Sequence, residues 1–233
     1  MDGPAESGRP RAPAPWRESF AARLGIAAEG VPHVVIPLAA AAFAILFGFD
    51  WLTIVMLAIA FAIAMFFRDP ERTPARSGEV ILSAADGRVC DIGEGTPPGL
   101  PAGRFRRVSV FMSPLDAHIN RAPVGGEVEQ VVHTPGAFRA AYHDLASEHN
   151  ERNLVVIRDA AGRRHPLVQV AGYLARRIVC RVRVGDRVFA GGRIGLIMFG
   201  SRLDHFLPIE YRLTVAAGDR VRAGETVIGE LMQ

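Results

Sequence analysis

The hydrophobic pattern divides the chain into two unlike parts. From Val34 to Phe67 the sequence is almost continuously apolar, broken by Gly48-Phe49-Asp50. One unbroken helix would carry Asp50 near the centre of a bilayer, at a cost of roughly 3 kcal/mol. Two segments, residues 31–49 and 51–67, avoid that cost, and each rises on the order of 25 to 28 Å at about 1.5 Å per residue, marginally enough to cross. The pattern therefore predicts a membrane helical hairpin, with a buried helical hairpin in a soluble core as the alternative. Beyond it the period changes. Short runs rich in Val, Ile and Leu at residues 107–112, 153–158, 166–171, 178–184, 193–199, 211–215 and 226–231 alternate with Gly, Asp and Pro turns and read as strands. The expected organisation is a mobile tail (1–30), the membrane hairpin (31–67), an extended Pro-punctuated connector (68–78) and a mainly β catalytic domain (79–233).

One repeat is visible inside the β region: Gly185-Asp186-Arg187-Val188-Phe189-Ala190-Gly191 recurs as Gly218-Asp219-Arg220-Val221-Arg222-Ala223-Gly224. Such turns resemble the hairpins of biotinyl and lipoyl carrier domains, which implies a barrel- or sandwich-like fold. Carrying is excluded, because all 27 basic residues are arginine and the chain has no lysine to modify. The same absence excludes pyridoxal phosphate held as a lysine Schiff base. Arg9, Arg11, Arg17 and Arg23 precede the apolar region and Arg68, Arg72 and Arg76 follow it, so both ends of the hairpin are expected in the cytoplasm. The apolar region starts too late and runs too long for a cleaved signal peptide. Cys90 and Cys180 lack zinc-site spacing and are expected as buried thiols, and the histidines show no metal-binding pattern, so no metal is expected. Nor is a nucleic-acid partner expected.

Three stretches could carry chemistry. In Phe199-Gly200-Ser201 a serine hydroxyl follows a glycine carbonyl that no side chain shields. Attack of Ser201 on that carbonyl would exchange the amide for an ester, and elimination and hydrolysis would then leave a pyruvoyl group on the downstream chain. The competing reading of Gly200-Ser201 is a plain turn. Ala85-Asp86-Gly87 reads either as a hairpin turn or as a placed carboxylate. Ser113-Pro114-Leu115-Asp116-Ala117-His118-Ile119-Asn120-Arg121 gathers a carboxylate, an imidazole and a guanidinium between two prolines, and extended backbone there would put Asp116 and His118 on one face.

Taken in order with Phe67-Arg68-Asp69-Pro70, Pro135-Gly136, His143 and Asn150-Glu151-Arg152, these stretches resemble the short, membrane-bound bacterial phosphatidylserine decarboxylase proenzymes. The resemblance covers most of the chain after the tail. It implies self-cleavage between Gly200 and Ser201 into a large and a small subunit, the small one beginning with pyruvoyl. It further implies that Asp86 assists maturation and that His118 acts in decarboxylation; Arg121, Asp116 and His143 are candidates for supporting the site. Phosphatidylserine would be bound as a Schiff base to the pyruvoyl ketone and released as phosphatidylethanolamine, at the cytoplasmic side of the inner membrane. A homo-oligomer is compatible with this. Longer members of the family carry a second histidine where this chain has Arg121, so either His118 serves both steps or Asp86 works with another partner. The other readings are a membrane-tethered adaptor with no chemistry and a pyruvoyl decarboxylase for another serine-headed lipid or amino acid.

Overall fold

The computed structural model describes residues 25–74, 79–101, 103–136, 150–172, 177–198 and 201–232. The expectations for residues 1–24, Arg76, His143, Phe199 and Gly200 lie outside the described residues. A single 3-10 turn, Ala28–Gly30, leads into α1 (Val31–Leu46), and α2 (Asp50–Phe66) returns after three residues. Pro32 falls in the first turn of α1, where no intrahelical partner for its nitrogen is needed, and Asp50 falls in the first turn of α2, where it faces the positive end of the helix. Gly48 makes the reversal at φ +72°. Ala41, Ala44 and Ala60 are buried, and small residues of this kind let two helices approach closely. The outer faces are bare: Phe43, Ile45, Leu46, Ile54 and Phe61 are all exposed. Among the described residues one helical stretch, Ala28–Leu46, with mean hydropathy 1.7, is by length and composition long and apolar enough to cross a membrane, and α2 is shorter.

The rest is mainly β, as the sequence pattern predicts. The strands are β1 (Val80–Leu82), β2 (Gly87–Gly95), β3 (Phe105–Met112), β4 (Ile119–Arg121), β5 (Gly126–Thr134), β6 (Arg152–Arg158) and β7 (Arg164–Val170). They continue as β8 (Arg177–Cys180), β9 (Arg187–Val188), β10 (Arg193–Met198), β11 (Ser201–Pro208), β12 (Tyr211–Leu213), β13 (Arg220–Val221) and β14 (Val227–Leu231). Eight of them form one curled sheet, β13-β2-β3-β11-β7-β6-β5-β9, flanked by the three-stranded sheets β1-β14-β12 and β4-β10-β8.

This order is a palindrome. Exchanging β13 with β9, β2 with β5, β3 with β6 and β11 with β7 reproduces the large sheet, and exchanging β1 with β4, β14 with β10 and β12 with β8 turns one small sheet into the other. Detail follows the pattern. The ladder of β2 is interrupted by a bulge between Val89 and Asp91, and that of β5 between Val128 and Gln130. Val89 exchanges backbone hydrogen bonds with Gly218 and Asp219, and Val128 does so with Gly185 and Asp186. The sequence repeat is therefore the trace of an internal pseudo-twofold axis, which passes between the central strands β11 and β7. Gly191 and Gly224, the last residues of the two repeats, both take φ +75° and stand back to back. A Cβ built on Gly224 would lie 3.1 Å from the Gly191 Cα.

The helical hairpin stands on the sheet β4-β10-β8. Ala27, Phe66 and Phe67 pack against Ile119, Leu196 and Met198, and Ile26 bridges to Arg68. Arg181 of the domain is ion-paired with Glu29. The described part of the connector, residues 68–74, is tied to the domain. Asp69 is buried, with Arg193 at 2.7 Å and Arg121 at 3.4 Å.

Two expectations need correction. Cys90 is exposed and Cys180 half-buried. Cys90 occupies the bulge in β2, where the extra residue shifts the alternation of faces and leaves its side chain outward. The segment from Ser113 to Asp116 is a turn, not extended backbone. Asp116 closes it by accepting hydrogen bonds from Ser113 N at 2.9 Å and Ser113 Oγ at 2.7 Å, so its carboxylate does not share an extended face with His118.

Candidate active site

The residue after Gly200 begins the central strand. β11 lies between β3 and β7, and all eight of its residues are buried. On one face, Leu203 and Leu207 enter the main core with Ile81, Val108, Val110 and Val155. On the other, Phe206 packs with Leu154, Val156, Val168 and Val170, and Arg202 pairs with Asp204 at 2.9 Å. Ser201 is opposite Met112 in the register, and its Oγ lies 3.8 Å from Met112 Sδ. A thioether is a weak acceptor.

His205 sits four residues on, on the same face as Ser201. Its Nε2 accepts from Ala84 N at 2.7 Å and its Nδ1 donates to Val108 O at 3.1 Å. Complete burial pushes its pKa down to about 4, against the pull of the Val108 carbonyl. His205 is thus a neutral imidazole with both nitrogens engaged, and it ties the strand of Ser201 to the loop of Asp86. The loop is held further by Arg121 N donating to Ala84 O at 2.9 Å and by Ser83 Oγ donating to Ala85 O at 2.7 Å. Asp86 accepts from Ala223 N at 2.7 Å and from Arg72 at 2.8 Å. Burial raises its pKa, and the Ala223 N–H and the Arg72 charge oppose that shift.

His118 enters β4 directly after the Ser113–Asp116 turn. It is 1% exposed, and its ring lies 4.1 Å from that of Phe66, the last residue of α2. Neither ring nitrogen has a hydrogen-bond partner of good geometry among the described residues. Burial pushes its pKa down to about 4, opposed by the backbone and carboxylate of Asp116. Arg68, at the foot of α2, donates to Met65 O at 2.8 Å and to Leu115 O at 2.6 Å, and its charge is felt by both His118 and Asp86. Two residues beyond His118, Asn120 Nδ2 reaches Met112 Sδ at 3.7 Å, the sulfur that Ser201 also touches.

Contacts therefore run from Ser201 through Met112 to Asn120 of β4, the strand that His118 precedes, and from His205 of the same strand as Ser201 to Ala84 of the Asp86 loop. Arg121 points to the connector. It donates to Gly191 O at 2.8 Å and Pro70 O at 2.7 Å and pairs with Asp69, clamping the connector to the repeat hairpins. The sequence reading misses His205, Arg72 and Asn120 as site residues. The alternation of Ser201, Leu203, His205 and Leu207 is the signal that would have placed His205 inward. Among the described residues no group of three or more His, Cys, Asp or Glu could hold a metal ion.

Comparison with known proteins points to one family. Residues 59–229 match the family model for phosphatidylserine decarboxylase. A phosphatidylserine decarboxylase proenzyme of Mycolicibacterium smegmatis is 50% identical over 184 residues, 78% of this chain and 79% of the relative. Proenzymes of the same name from Solidesulfovibrio magneticus and Zymomonas mobilis are each 44% identical. They align over 88% of this chain and 96% of the relative, and over 87% and 85%, respectively.

Proposed function

The chain belongs to the phosphatidylserine decarboxylase family, and from that premise we propose that it converts phosphatidylserine to phosphatidylethanolamine and carbon dioxide with a pyruvoyl group made from its own Ser201. The observation that carries the reading is Ser201 itself. Its hydroxyl is fully buried at the head of the central strand, and its neighbour among the described residues is a thioether that releases it easily. Such a position fits a group made in place. A ketone there supplies the electron sink that decarboxylation needs and that no lysine-bound cofactor can provide in this chain.

In maturation Ser201 Oγ attacks the Gly200 carbonyl carbon, and the peptide bond to the Ser201 nitrogen gives way to an ester. Loss of the Ser201 α proton then frees the upstream chain. His118 is the base for both maturation and turnover, because it is neutral at pH 7 and neither ring nitrogen has a hydrogen-bond partner of good geometry among the described residues, whereas His205 is fully hydrogen-bonded and Arg121 clamps the connector. Asp86 acts on maturation by holding the loop that His205 ties to the strand of Ser201, and Asp116 sets the turn that delivers His118. The apolar hairpin anchors the domain in the membrane, with the flanking arginines keeping both ends on the cytoplasmic side. His118, against the last residue of α2, is then level with the lipid headgroups. An adaptor without chemistry does not fit a chain whose relatives are proenzymes.

Intact-mass measurement of the purified protein tests the proposal. Two chains divided before residue 201 are expected, with Ser201→Ala remaining single. Borohydride reduction with phosphatidylserine should attach lipid to the small chain. An undivided wild-type protein with full decarboxylase activity would overturn the reading.

A further inference from the structure

Three side-chain amides form a row that leads to Ser201. Asn153 of β6 donates from Nδ2 to Gln169 Oε1 at 2.8 Å, Gln169 of β7 donates from Nε2 to Asn120 Oδ1 at 2.8 Å, and Asn120 donates from Nδ2 to Met112 Sδ at 3.7 Å. Ser201 Oγ meets the same sulfur at 3.8 Å. All five residues are at most 2% exposed. The row has one direction. Turning the Gln169 amide over would set oxygen against Asn120 Oδ1 and nitrogen against Asn153 Nδ2, so each amide fixes the next, and the last presents its N–H to the sulfur.

Such a row is a poor way to join strands. Buried amides are tolerated only when every member is satisfied, and apolar residues of the same shape serve the core as well or better. Methionine, for its part, is a flexible side chain that specifies position badly unless something holds it. The row supplies that hold, and its other end supplies a reason. A hydroxyl oriented by an amide or carboxylate would have to break a firm bond before reacting, whereas one oriented by a thioether is placed without being tied.

We propose that Asn153, Gln169 and Asn120 are positioning residues for self-cleavage: they pin Met112, and the Met112 sulfur holds the Ser201 hydroxyl in the rotamer from which it reacts. The proposal rests on Ser201 being the nucleophile. In the step concerned, Oγ bonds to the preceding carbonyl carbon, the bond from that carbon to the Ser201 nitrogen breaks, and the hydroxyl proton passes through a base to the released nitrogen. No oxidant or reductant enters.

The test is the rate at which the newly made full chain divides, followed by denaturing gel after cell-free synthesis into lipid nanodiscs. Met112→Leu keeps the volume and removes the acceptor. It should slow division about tenfold, while the thermal midpoint, measured on the undivided Ser201→Ala background, moves by only about two degrees. Gln169→Leu should slow division similarly, and the double variant should be no slower than Met112→Leu, because the row acts only through the sulfur. Hydroxylamine, which cleaves esters and spares amides, should not speed division in these variants, since the ester has not formed. Division of Met112→Leu at the wild-type rate, multiplying effects in the double variant, or release of fragments by hydroxylamine would each overturn the proposal. A wild-type chain that never divides before Ser201 would instead sink the assignment of the nucleophile.

Discussion

His205 and His118 are imidazoles buried in the neutral form, and burial dictates how each responds to acid. Their pKa values lie at about 4 in the folded protein, below the ordinary 6.5. Above pH 6.5 neither state of the chain protonates them and their contribution to stability is fully present. As the pH falls from 6.5 towards 4 the unfolded chain takes up protons that the folded one refuses, and stability declines; below about 4 no more is lost from these two. For His205 the loss is on the order of 3 kcal/mol. Urea midpoints of the undivided Ser201→Ala protein at pH 7 and pH 5 should show the fall, and His205→Gln should lessen it. An equal fall in the variant would mean that His205 is not responsible. Asp86 and His118 differ in reach. Asp86→Ala should slow chain division by loosening the loop at Ala84, whereas His118→Ala should slow division and also lower turnover per pyruvoyl formed by roughly a hundredfold or more. Normal division and turnover in both variants would remove them from the site.

Among the elements, strands with one apolar face and a turn at each end are legible from sequence; β3, β6, β7 and β10 lie where the Val and Ile runs place them. β11 is not legible. Arg202, Asp204 and His205 make it look like a polar turn, yet it is buried on both sides, because the arginine and aspartate are ion-paired and the histidine finds partners in two other elements. Partners far away in sequence leave no local trace. The turn at Ser113–Asp116 and the bulge at Cys90 were hidden for the opposite reason, since each depends on a purely local shift of backbone that alternation does not record. The repeat was visible, but its meaning lay in pairing: two loops that read as similar hairpins are related by an axis, and their last glycines touch. Gly224→Val should accordingly destabilise the domain by roughly 2 kcal/mol or more, combining a side chain at positive φ with a clash at Gly191. Gly191→Val should do much the same. A urea midpoint unchanged by either substitution would show that the contact holds nothing together.

For the molecule as a whole, a hairpin whose two feet, Ala27 and Phe66, both rest on the sheet β4-β10-β8 returns the chain to the side of any membrane from which it entered. Protease added to sealed vesicles should find residues 1–24 and Gln233 equally protected or equally cut, and a difference between them would refute the hairpin. The position of β11 has a consequence for the life history of the protein. A cut before Ser201 creates a new chain end at the head of the innermost strand, and the severed segment still supplies β11 to β3 and β7, β13 to β2, and β14 to β1. The two products are therefore woven together without a covalent link. The proenzyme, being one chain, can be melted and can find its fold again. The mature enzyme cannot be expected to, because its shorter strand must be threaded back between neighbours that close on each other once it leaves. Maturation thus works as a ratchet on folding itself, and heating and cooling should retrace one curve for Ser201→Ala but trace an open loop for the wild type.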